Sequence, residues 1–301
     1  MSNGILSAIA SAAVYSVSNY IDKFLLEKQK LNYYVITVYS GIFGLLAGLI
    51  IAFFAGVYTD DFKTIILIII SGFFINISLL PYYKALSKDE TSRIVPLFQS
   101  IPVFVLILGY IFLGEELTMK QYLGATLIIL ASFIISMKEP GYKIFRLRPS
   151  LWLMLLSCFL YAVGIICFKF GLKEIPFFQS LTYEGIGLML CSLTILIVGK
   201  KWPLFIKQSK KMKRAVYLYI SINEFVYLLS RYFSWFSLTL INAGLASILI
   251  QGIQPFITLS YGTILTLFFP KVLKESLDRK NFLAKIICSL IMFVGLYLIL
   301  F

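Results

Sequence analysis

Histidine is absent from the 301 residues, and only 14% of the residues are charged. Because histidine is the commonest metal ligand and the usual proton-exchanging side chain near neutral pH, its absence argues against a metal centre and excludes a Ser-His-Asp triad. No GxxxxGK[ST] run is present, so ATP is not expected as the direct energy source. The sequence therefore predicts no enzyme, no cofactor and no metal site. The cysteines, all inside apolar runs without CxxC spacing and expected as small buried residues, are Cys158, Cys167, Cys191 and Cys288.

Hydrophobic residues make up 60% of the chain, and the mean hydropathy is +0.91. A soluble domain has about 45–50% apolar and about 25% charged residues. This excess cannot be buried in one soluble core, so the chain is predicted to be a membrane protein. Ten apolar segments reach the length of about 20 residues that a span needs. They are 4–25, 33–57, 63–86, 92–114, 119–137, 150–172, 177–198, 215–239, 243–269 and 281–301.

The net charge of +13 is distributed unevenly between the two sides of these spans. Most lysines and arginines lie in the connections after spans 1, 3, 5, 7 and 9, whereas the other side has only Lys63, Lys120, Lys169 and Lys173. The positive-inside rule explains this pattern better than nucleic-acid binding, and it places the odd-numbered connections in the cytoplasm and both termini outside. The start, MSNG, has no positive region typical of a cleaved signal peptide. We expect the plasma (inner) membrane, and we expect the basic segment 199–214 to be a solvated loop that attracts anionic lipid at the cytoplasmic face.

The two halves of the chain resemble each other in sequence. EELTMKQYLG (115–124) matches ESLDRKNFLA (275–284), and YSVSNYIDKFLLEK (15–28) matches YAVGIICFKFGLKE (161–174). YYVITVYSG (33–41) matches FFQSLTYEG (177–185), and LFQSIPVF (97–104) matches LIQGIQPF (249–256). Because each copy has five spans, an odd number, the second copy is inserted upside down. The predicted fold is an all-α polytopic membrane protein of ten transmembrane helices, built as two inverted five-helix repeats (1–140 and 141–301) with no soluble domain.

Residues 85–136 resemble the EamA-type domain of the drug/metabolite transporter superfamily. The resemblance includes Ala85-Leu86, Thr91-Ser92, the prolines Pro96 and Pro102, Gly114-Glu115 and Gly124. Lys23 and Lys169 also look like the lysine often found near the end of such a domain's first span. The second copy departs from the pattern, because LFFPKVLKES (267–276) replaces LGEE. The resemblance implies a ten-span transporter with a central cavity and alternating access.

Three charged residues lie deep within predicted spans, where each costs about 2.5–3.5 kcal/mol on insertion scales. Glu184 and Arg231 lie at similar depth and could pair, while Glu224 lies deeper toward the cytoplasm. Span 8 has a polar and aromatic stripe at helical spacing, formed by Tyr217, Glu224, Tyr227, Arg231 and Trp235. Two interpretations remain open: a structural Glu184–Arg231 bridge that fixes helix packing, or a stripe that contacts solute.

Further candidates flank this stripe in other spans. Gln99 and Gln251 precede the prolines of spans 4 and 9, so Pro102 and Pro255 are candidate hinges, although membrane helices also tolerate proline. Asn76 and Tyr83 of span 3 occupy the face that corresponds to part of the stripe. Asp22, Lys23 and Lys169, near the ends of spans 1 and 6, are either interfacial anchors or gates at opposite mouths of a pathway.

The predicted function is a secondary transporter for a small polar metabolite, an amino acid or similar zwitterion. Arg231 would hold an anionic group, Glu224 and Glu184 a cationic group or coupling proton, and the aromatic residues would shape the pocket. A cationic quaternary amine such as choline, or a lipophilic cationic drug, is the alternative if Glu184 neutralises Arg231. A non-transporting membrane scaffold, with the stripe packed solid, is an alternative of another class. The partners expected are a small-molecule substrate and membrane lipids, with no nucleic acid, and the protein is expected as a monomer or homodimer.

Overall fold

The computed structural model describes residues 2–57, 60–87, 97–98, 100–136 and 149–268, together with isolated positions between 287 and 298. Within these ranges all regular structure is helical, which confirms the predicted class. The helices are α1 (Ser2–Glu27), α2 (Tyr33–Ala55), α3 (Phe62–Leu86), α4 (Ser100–Leu113), α5 (Met119–Ser136), α6 (Pro149–Gly171), α7 (Phe177–Ile197), α8 (Trp202–Lys211), α9 (Arg214–Leu240) and α10 (Ala243–Phe268).

Nine of these helices coincide with the first nine predicted spans, and the tenth span, 281–301, lies almost wholly outside the described residues. Five helical segments are long and apolar enough to cross a membrane: Ser2–Glu27, Tyr33–Ala55, Phe62–Leu86, Trp152–Gly171 and Phe177–Ile197. Helix α9 is long enough at 27 residues but does not meet the same measure of hydropathy and charge. It is also the helix that carries Glu224 and Arg231. The protein is therefore a multi-pass membrane protein.

Short polar side chains begin several helices. The Asn32 side chain accepts a hydrogen bond from Tyr34 N (3.0 Å) at the start of α2. Asp61 caps α3, and bonds donated by the Thr64 hydroxyl and backbone N–H lower the pKa of this exposed carboxyl. Thr118 N donates to Gln121 Oε1 (3.0 Å), and Gln121 N donates to Thr118 Oγ1 (3.3 Å), so the two residues form a capping box at the start of α5.

The basic segment 199–214, predicted to be a loop, instead contains helix α8. A proline in its first turn has the backbone angle that a helix needs, and Lys210 and Lys211 in its last turn complement the negative end of the helix dipole. Its apolar residues Trp202, Phe205 and Ile206 share one face at helical spacing, and Lys207, Lys210 and Lys211 lie on another face. The loop prediction was wrong because charge density was given more weight than this amphipathic pattern.

The helices of the first half pack mainly against those of the second half. Helix α1 contacts α9 and α10, α6 contacts α3 and α4, and α2 contacts α7. Glycines allow the closest of these approaches. A Cβ atom added to Gly187 of α7 would lie 1.9 Å from Ile69 O of α3, and one added to Gly185 would lie 2.5 Å from Gly44 O of α2. The core therefore lies between the two halves and not within each of them.

The connections separate into two ends of this bundle. At one end, Gln208 of α8 contacts the turn between α1 and α2. At the other end, Gln179 Nε2 of α7 donates to Ala55 O of α2 (2.9 Å), and Glu115 contacts the start of α10. Connections that were predicted to share one side of the membrane therefore lie together.

Candidate functional site

Glu184 of α7 and Arg231 of α9 form an ion pair inside the bundle. Arg231 Nη2 donates to Glu184 Oε1, and both side chains are almost completely buried. Trp235, one turn further along α9, donates its Nε1–H to the same carboxylate oxygen at 2.7 Å and stacks on Phe168 with ring centroids 4.6 Å apart. The pairing expected from the similar depth of the two residues is thus present. The guanidinium is only partly used, since its Nε and Nη1 are buried without a partner among the described residues.

Glu224 lies on the same face of α9, nearly two turns from Arg231. It is 1% exposed, and its Oε2 has no hydrogen-bond partner within the described chain. Ser40 of α2 lies beside this carboxylate. Tyr227 lies on the turn between Glu224 and Arg231, and its buried hydroxyl also has no hydrogen-bond partner among the described residues. The centroid of its ring lies 5.5 Å from the Arg231 guanidinium carbon. Buried polar atoms normally find partners, so the free atoms of Glu224 and Tyr227 make this face of α9 the candidate site.

Asp22 of α1 is buried and lies close to Glu224. Its Oδ1 accepts hydrogen bonds from Tyr83 OH (3.2 Å) and Asn223 Nδ2 (2.9 Å). Asn223 Oδ1 in turn accepts from the Ser18 hydroxyl at 3.0 Å. Helices α1, α3 and α9 are therefore joined by one polar network next to Glu224.

Aromatic rings connect these groups. Tyr15 of α1 lies 5.9 Å from Tyr227, and Tyr82 lies 4.9 Å from Tyr83, measured between ring centroids. The hydroxyl of Tyr82 and both side-chain polar atoms of Asn19 are buried without a partner in the described structure. We refer to ten of these buried residues as the central cluster. Its members are Tyr15, Asn19, Asp22, Tyr82, Tyr83, Glu184, Glu224, Tyr227, Arg231 and Trp235.

Other predicted site residues lie elsewhere or are not described. Asn76 Nδ2 donates to Leu188 O (2.8 Å) and Ser192 Oγ (2.9 Å), so it joins α3 to α7. Tyr217, the first residue of the stripe, is 38% exposed and donates to Ser209 O of α8 at 2.7 Å. Gln251 is buried in α10. Gln99 lies outside the described residues.

The candidate hinge prolines differ in position. Pro102 lies in the first turn of α4, where proline removes no intrahelical hydrogen bond. Pro255 lies inside α10, where it does remove one. Pro81 lies inside α3, and the sequence analysis did not single it out. The two internal prolines, Pro81 and Pro255, are therefore the ones at which a helix can bend.

Lys169 joins helix ends at the end of the bundle opposite α8. Its Nζ donates to Leu238 O and to Ile241 O (2.9 Å), the carbonyls that end α9. Its Nζ also lies 3.9 Å from Glu115 Oε1. Glu115 Oε2 accepts from Ala243 N at 2.7 Å and so caps α10. We call Glu115, Lys169 and the helix ends they cap the end latch. Lys23, the equivalent of Lys169, makes no hydrogen bond or ion pair with a described residue.

Sequence reasoning missed several members of this arrangement. Glu115 appeared only in the repeated decapeptide and in the family resemblance, whereas its carboxylate binds the backbone start of α10 and a lysine of the other half. Asn19 follows Tyr15 at helical spacing, as Tyr227 follows Glu224, and this signal could have identified it. The spacing in α3 did not indicate Tyr82, because its neighbour Tyr83 is the residue seven positions after Asn76 and therefore lies on the predicted face.

Comparison with known proteins explains the architecture. The model of the EamA-like transporter family matches residues 2–137. An uncharacterized protein of Methanocaldococcus jannaschii is 30% identical over 139 residues, which cover 46% of this chain and 100% of that protein. The chain belongs to the EamA-like transporter family. This confirms the resemblance seen in the sequence, and it identifies the protein as a membrane transporter.

Other relatives agree with this assignment. An uncharacterized transporter of Archaeoglobus fulgidus is 26% identical over 185 residues, 60% of this EamA-like chain and 64% of that protein. An uncharacterized transporter of a Sinorhizobium species is 31% identical over 74 residues, and the match covers 52% of it. A protein crystal structure with 11% sequence identity superposes with a TM-score of 0.64 over 98% of this chain and 94% of its own. That structure shares the fold of this EamA-like protein.

Proposed function

We propose that this EamA-like protein is a secondary transporter that moves a small zwitterionic metabolite, such as an amino acid, through the central cluster. The observation that carries the proposal is that two oppositely charged residues on one face of α9 have buried atoms without a hydrogen-bond partner among the described residues. Glu224 Oε2 is a buried acceptor without a partner in the described residues, and Arg231 Nε and Nη1 are buried donors without one. The two residues are seven apart, so their Cα atoms are separated by about 10 Å along the helix. Their side chains would converge on a solute that carries both charges.

The ion pair with Glu184 leaves a second candidate substrate, a cationic amine. If ordered water satisfies the free Arg231 atoms, the remaining feature is Glu224 among the rings of Tyr227 and Tyr83. A carboxylate among aromatic faces suits a quaternary ammonium group. The zwitterion is the better fit, because a buried guanidinium with two free donors calls for an anionic group.

Alternating access requires two exchangeable halves, and the helix packing supports an inverted repeat. If each span corresponds to the span five places further along, the contacts of α1 with α9 and α10 become those of α6 with α3 and α4, and both sets occur. The contact between α2 and α7 transforms into itself. In such repeats the substrate site lies near the midplane between the halves. We place the central cluster there.

Individual hydrogen bonds repeat in the same way. Ser157 Oγ of α6 donates to Ser78 O of α3 (2.8 Å), and Ser71 Oγ of α3 donates to Gly164 O of α6 (2.7 Å). Between α1 and α9, Ser230 Oγ donates to Ser11 O (3.0 Å) and Ser18 Oγ donates to Asn223 Oδ1 (3.0 Å). On every one of the four helices, the two bonded positions are seven residues apart. The matched spacing supports a duplication with domain boundaries near residue 140.

The remaining assignments concern sidedness and gating. We assign the end that contains α8 to the cytoplasm of a plasma (inner) membrane, following the charge distribution. The end latch then closes the outer mouth in this conformation. Asp22, which is buried among Tyr83 and Asn223, belongs with the substrate or coupling machinery and not with a gate.

Reconstituted vesicles test the substrate assignment. The native chain is first screened by thermal shift against amino acids, quaternary amines and phosphorylated sugars, since a ligand that binds the folded state raises its unfolding temperature. Flux of the best ligand is then measured for the native chain and for Glu224→Gln, which removes the charge but keeps the side-chain shape. We expect about a hundredfold loss, the equivalent of 2–3 kcal/mol for a buried charged hydrogen bond.

The matched control is Glu116→Gln, which removes an exposed carboxylate outside the central cluster. It should leave flux unchanged. Unaltered flux in Glu224→Gln would reject the site assignment. Stabilisation by quaternary amines and by no amino acid would favour the cationic substrate.

A further inference from the structure

A cleft of about 1190 Å³ lies at the end of the bundle that contains α8, away from the central cluster. It is bounded by the end of α1, the turn into α2, the end of α3, and α8 with the start of α9. The first half has no counterpart of α8, since residues 56–61 join α2 to α3 directly and are too few for a helix of that length. The cleft is therefore a feature that the duplicated transport fold does not require.

Specific hydrogen bonds hold α8 over this cleft. Gln208 Oε1 accepts from Asn32 N at 3.1 Å, and Gln208 Nε2 donates to Lys30 O at 3.2 Å. Lys30 has φ of 52°, a left-handed conformation uncommon outside glycine and asparagine. Tyr39 OH of α2 adds a bond of 3.0 Å to Ser209 Oγ. The cleft is thus shaped by contacts between an extra helix and the opposite half of the protein.

Positive charge dominates the part of the cleft lining that the structure describes. Lys30, Lys207, Lys211 and Lys213 line it, and Glu27 is the one carboxylate among the described lining residues. None of these lysines forms an ion pair with a described residue. Four ammonium groups around one concave space repel one another, and an anion bound among them relieves that repulsion.

Apolar side chains share the lining with the lysines. Leu31, Leu86, Leu204 and Val216 belong to it, so a ligand here would contact hydrocarbon as well as charge. Helix α7, which precedes α8, is one of the helices long and apolar enough to cross a membrane, which places the cleft near the membrane surface. An amphipathic basic helix at that level suits contact with anionic lipid.

We propose that this cleft binds the phosphate-bearing headgroup of an anionic membrane lipid, with the lysines around the phosphate and the apolar residues along the start of the acyl chains. A free phosphate ion would use the lysines alone. A bound lipid would hold α8 against the turn between α1 and α2, and so stabilise that end of the bundle.

Thermal unfolding and native mass spectrometry of the full chain in detergent test this proposal. The probes are phosphatidylglycerol, phosphatidylcholine and inorganic phosphate, each titrated separately. The test variant is Lys207→Gln with Lys211→Gln, which are exposed positions in the cleft. The matched control is Lys200→Gln with Lys210→Gln, which makes the same charge change in the same segment at positions outside the cleft lining.

We expect phosphatidylglycerol to bind and stabilise the native chain and the control, and to bind the test variant about tenfold or more weakly. Phosphatidylcholine should bind no better to the native chain than to the test variant. Equal weakening in both variants would overturn the proposal in favour of a diffuse surface charge. Stabilisation by inorganic phosphate equal to that by phosphatidylglycerol would overturn the assignment to a lipid.

Discussion

At the scale of single residues, the protein buries opposite charges that only partly compensate each other. Glu184 accepts bonds from Arg231 and Trp235, whereas Glu224 has a free oxygen within the described structure. Removing an ion from water costs several kcal/mol even after relaxation, so each such charge needs a partner or a function. Glu184 and Arg231 are partners for each other, whereas the free oxygen of Glu224 indicates a function in binding.

The ion pair leads to a stability prediction. Glu184→Gln leaves Arg231 without its anionic partner, and Arg231→Met leaves Glu184 without its cation, so each single change should destabilise the protein by about 3–5 kcal/mol. The double variant should be less destabilised than the sum of the singles, because neither unpaired charge remains. Unfolding of the four proteins in detergent gives the coupling energy. Strict additivity would show that the pair has no energetic role.

At the scale of secondary-structure elements, α7 packs closely against both α2 and α3. Gly185 faces Gly44 of α2, and Gly187 faces the backbone of α3 at Ile69. Glu184 directly precedes Gly185, and a Cβ atom added to Gly72 of α3 would lie 2.1 Å from Glu184 O. The same tight packing that brings the helices together therefore fixes the position of the carboxylate. Backbone carbonyls are the obstructing atoms, and they cannot move aside as a side chain can.

Gly187→Ala should therefore destabilise the bundle strongly. The new methyl group would lie 1.9 Å from Ile69 O, so α3 and α7 must separate, at a cost of about 1–3 kcal/mol or more. The control is Gly109→Ala in α4, where the nearest atom would be Glu115 Oε2 at an ordinary 3.5 Å. That change should be neutral or slightly stabilising, because alanine favours a helix over glycine. Comparable unfolding temperatures for the two variants would contradict the close-packing explanation.

At the scale of the whole molecule, the sequence determined more of the fold than of the site. Length and hydropathy predicted the first nine spans, because a bilayer imposes one length on every apolar helix. Spacing along one helix located Glu224 and Arg231. Contacts between distant helices, such as Asp22 with Asn223, have no local signature, since they depend on how α1 and α9 pack. For the same reason the sequence did not reveal the contacts of Glu115 with Ala243 and Lys169.

The inverted repeat that we propose also predicts an exchange of latches between the two mouths. Lys23 aligns with Lys169, and Glu115 aligns with Glu275 in the paired decapeptides. In this conformation Lys169 caps α9 and pairs with Glu115, while Lys23 has no partner among the described residues. If the halves exchange roles, Lys23 takes up the equivalent contacts when the opposite mouth closes. Losing either lysine should then shift the equilibrium, in opposite directions.

Maleimide labelling of Ala243→Cys, in a chain whose four native cysteines are replaced, measures opening of the latched mouth. Ala243 is fully buried in this conformation, and Glu115 of the end latch accepts from its backbone N–H. Lys169→Gln should speed labelling several-fold, because it releases the ends of α9 and α10. Lys23→Gln should slow it, because it weakens the alternative closed state. Glu115→Gln should act as Lys169→Gln does, and its exposed neighbour Glu116→Gln should have no effect. Changes in the same direction for both lysine variants would refute the exchange, since two lysines that merely anchor helices at the membrane surface have no reason to act in opposition.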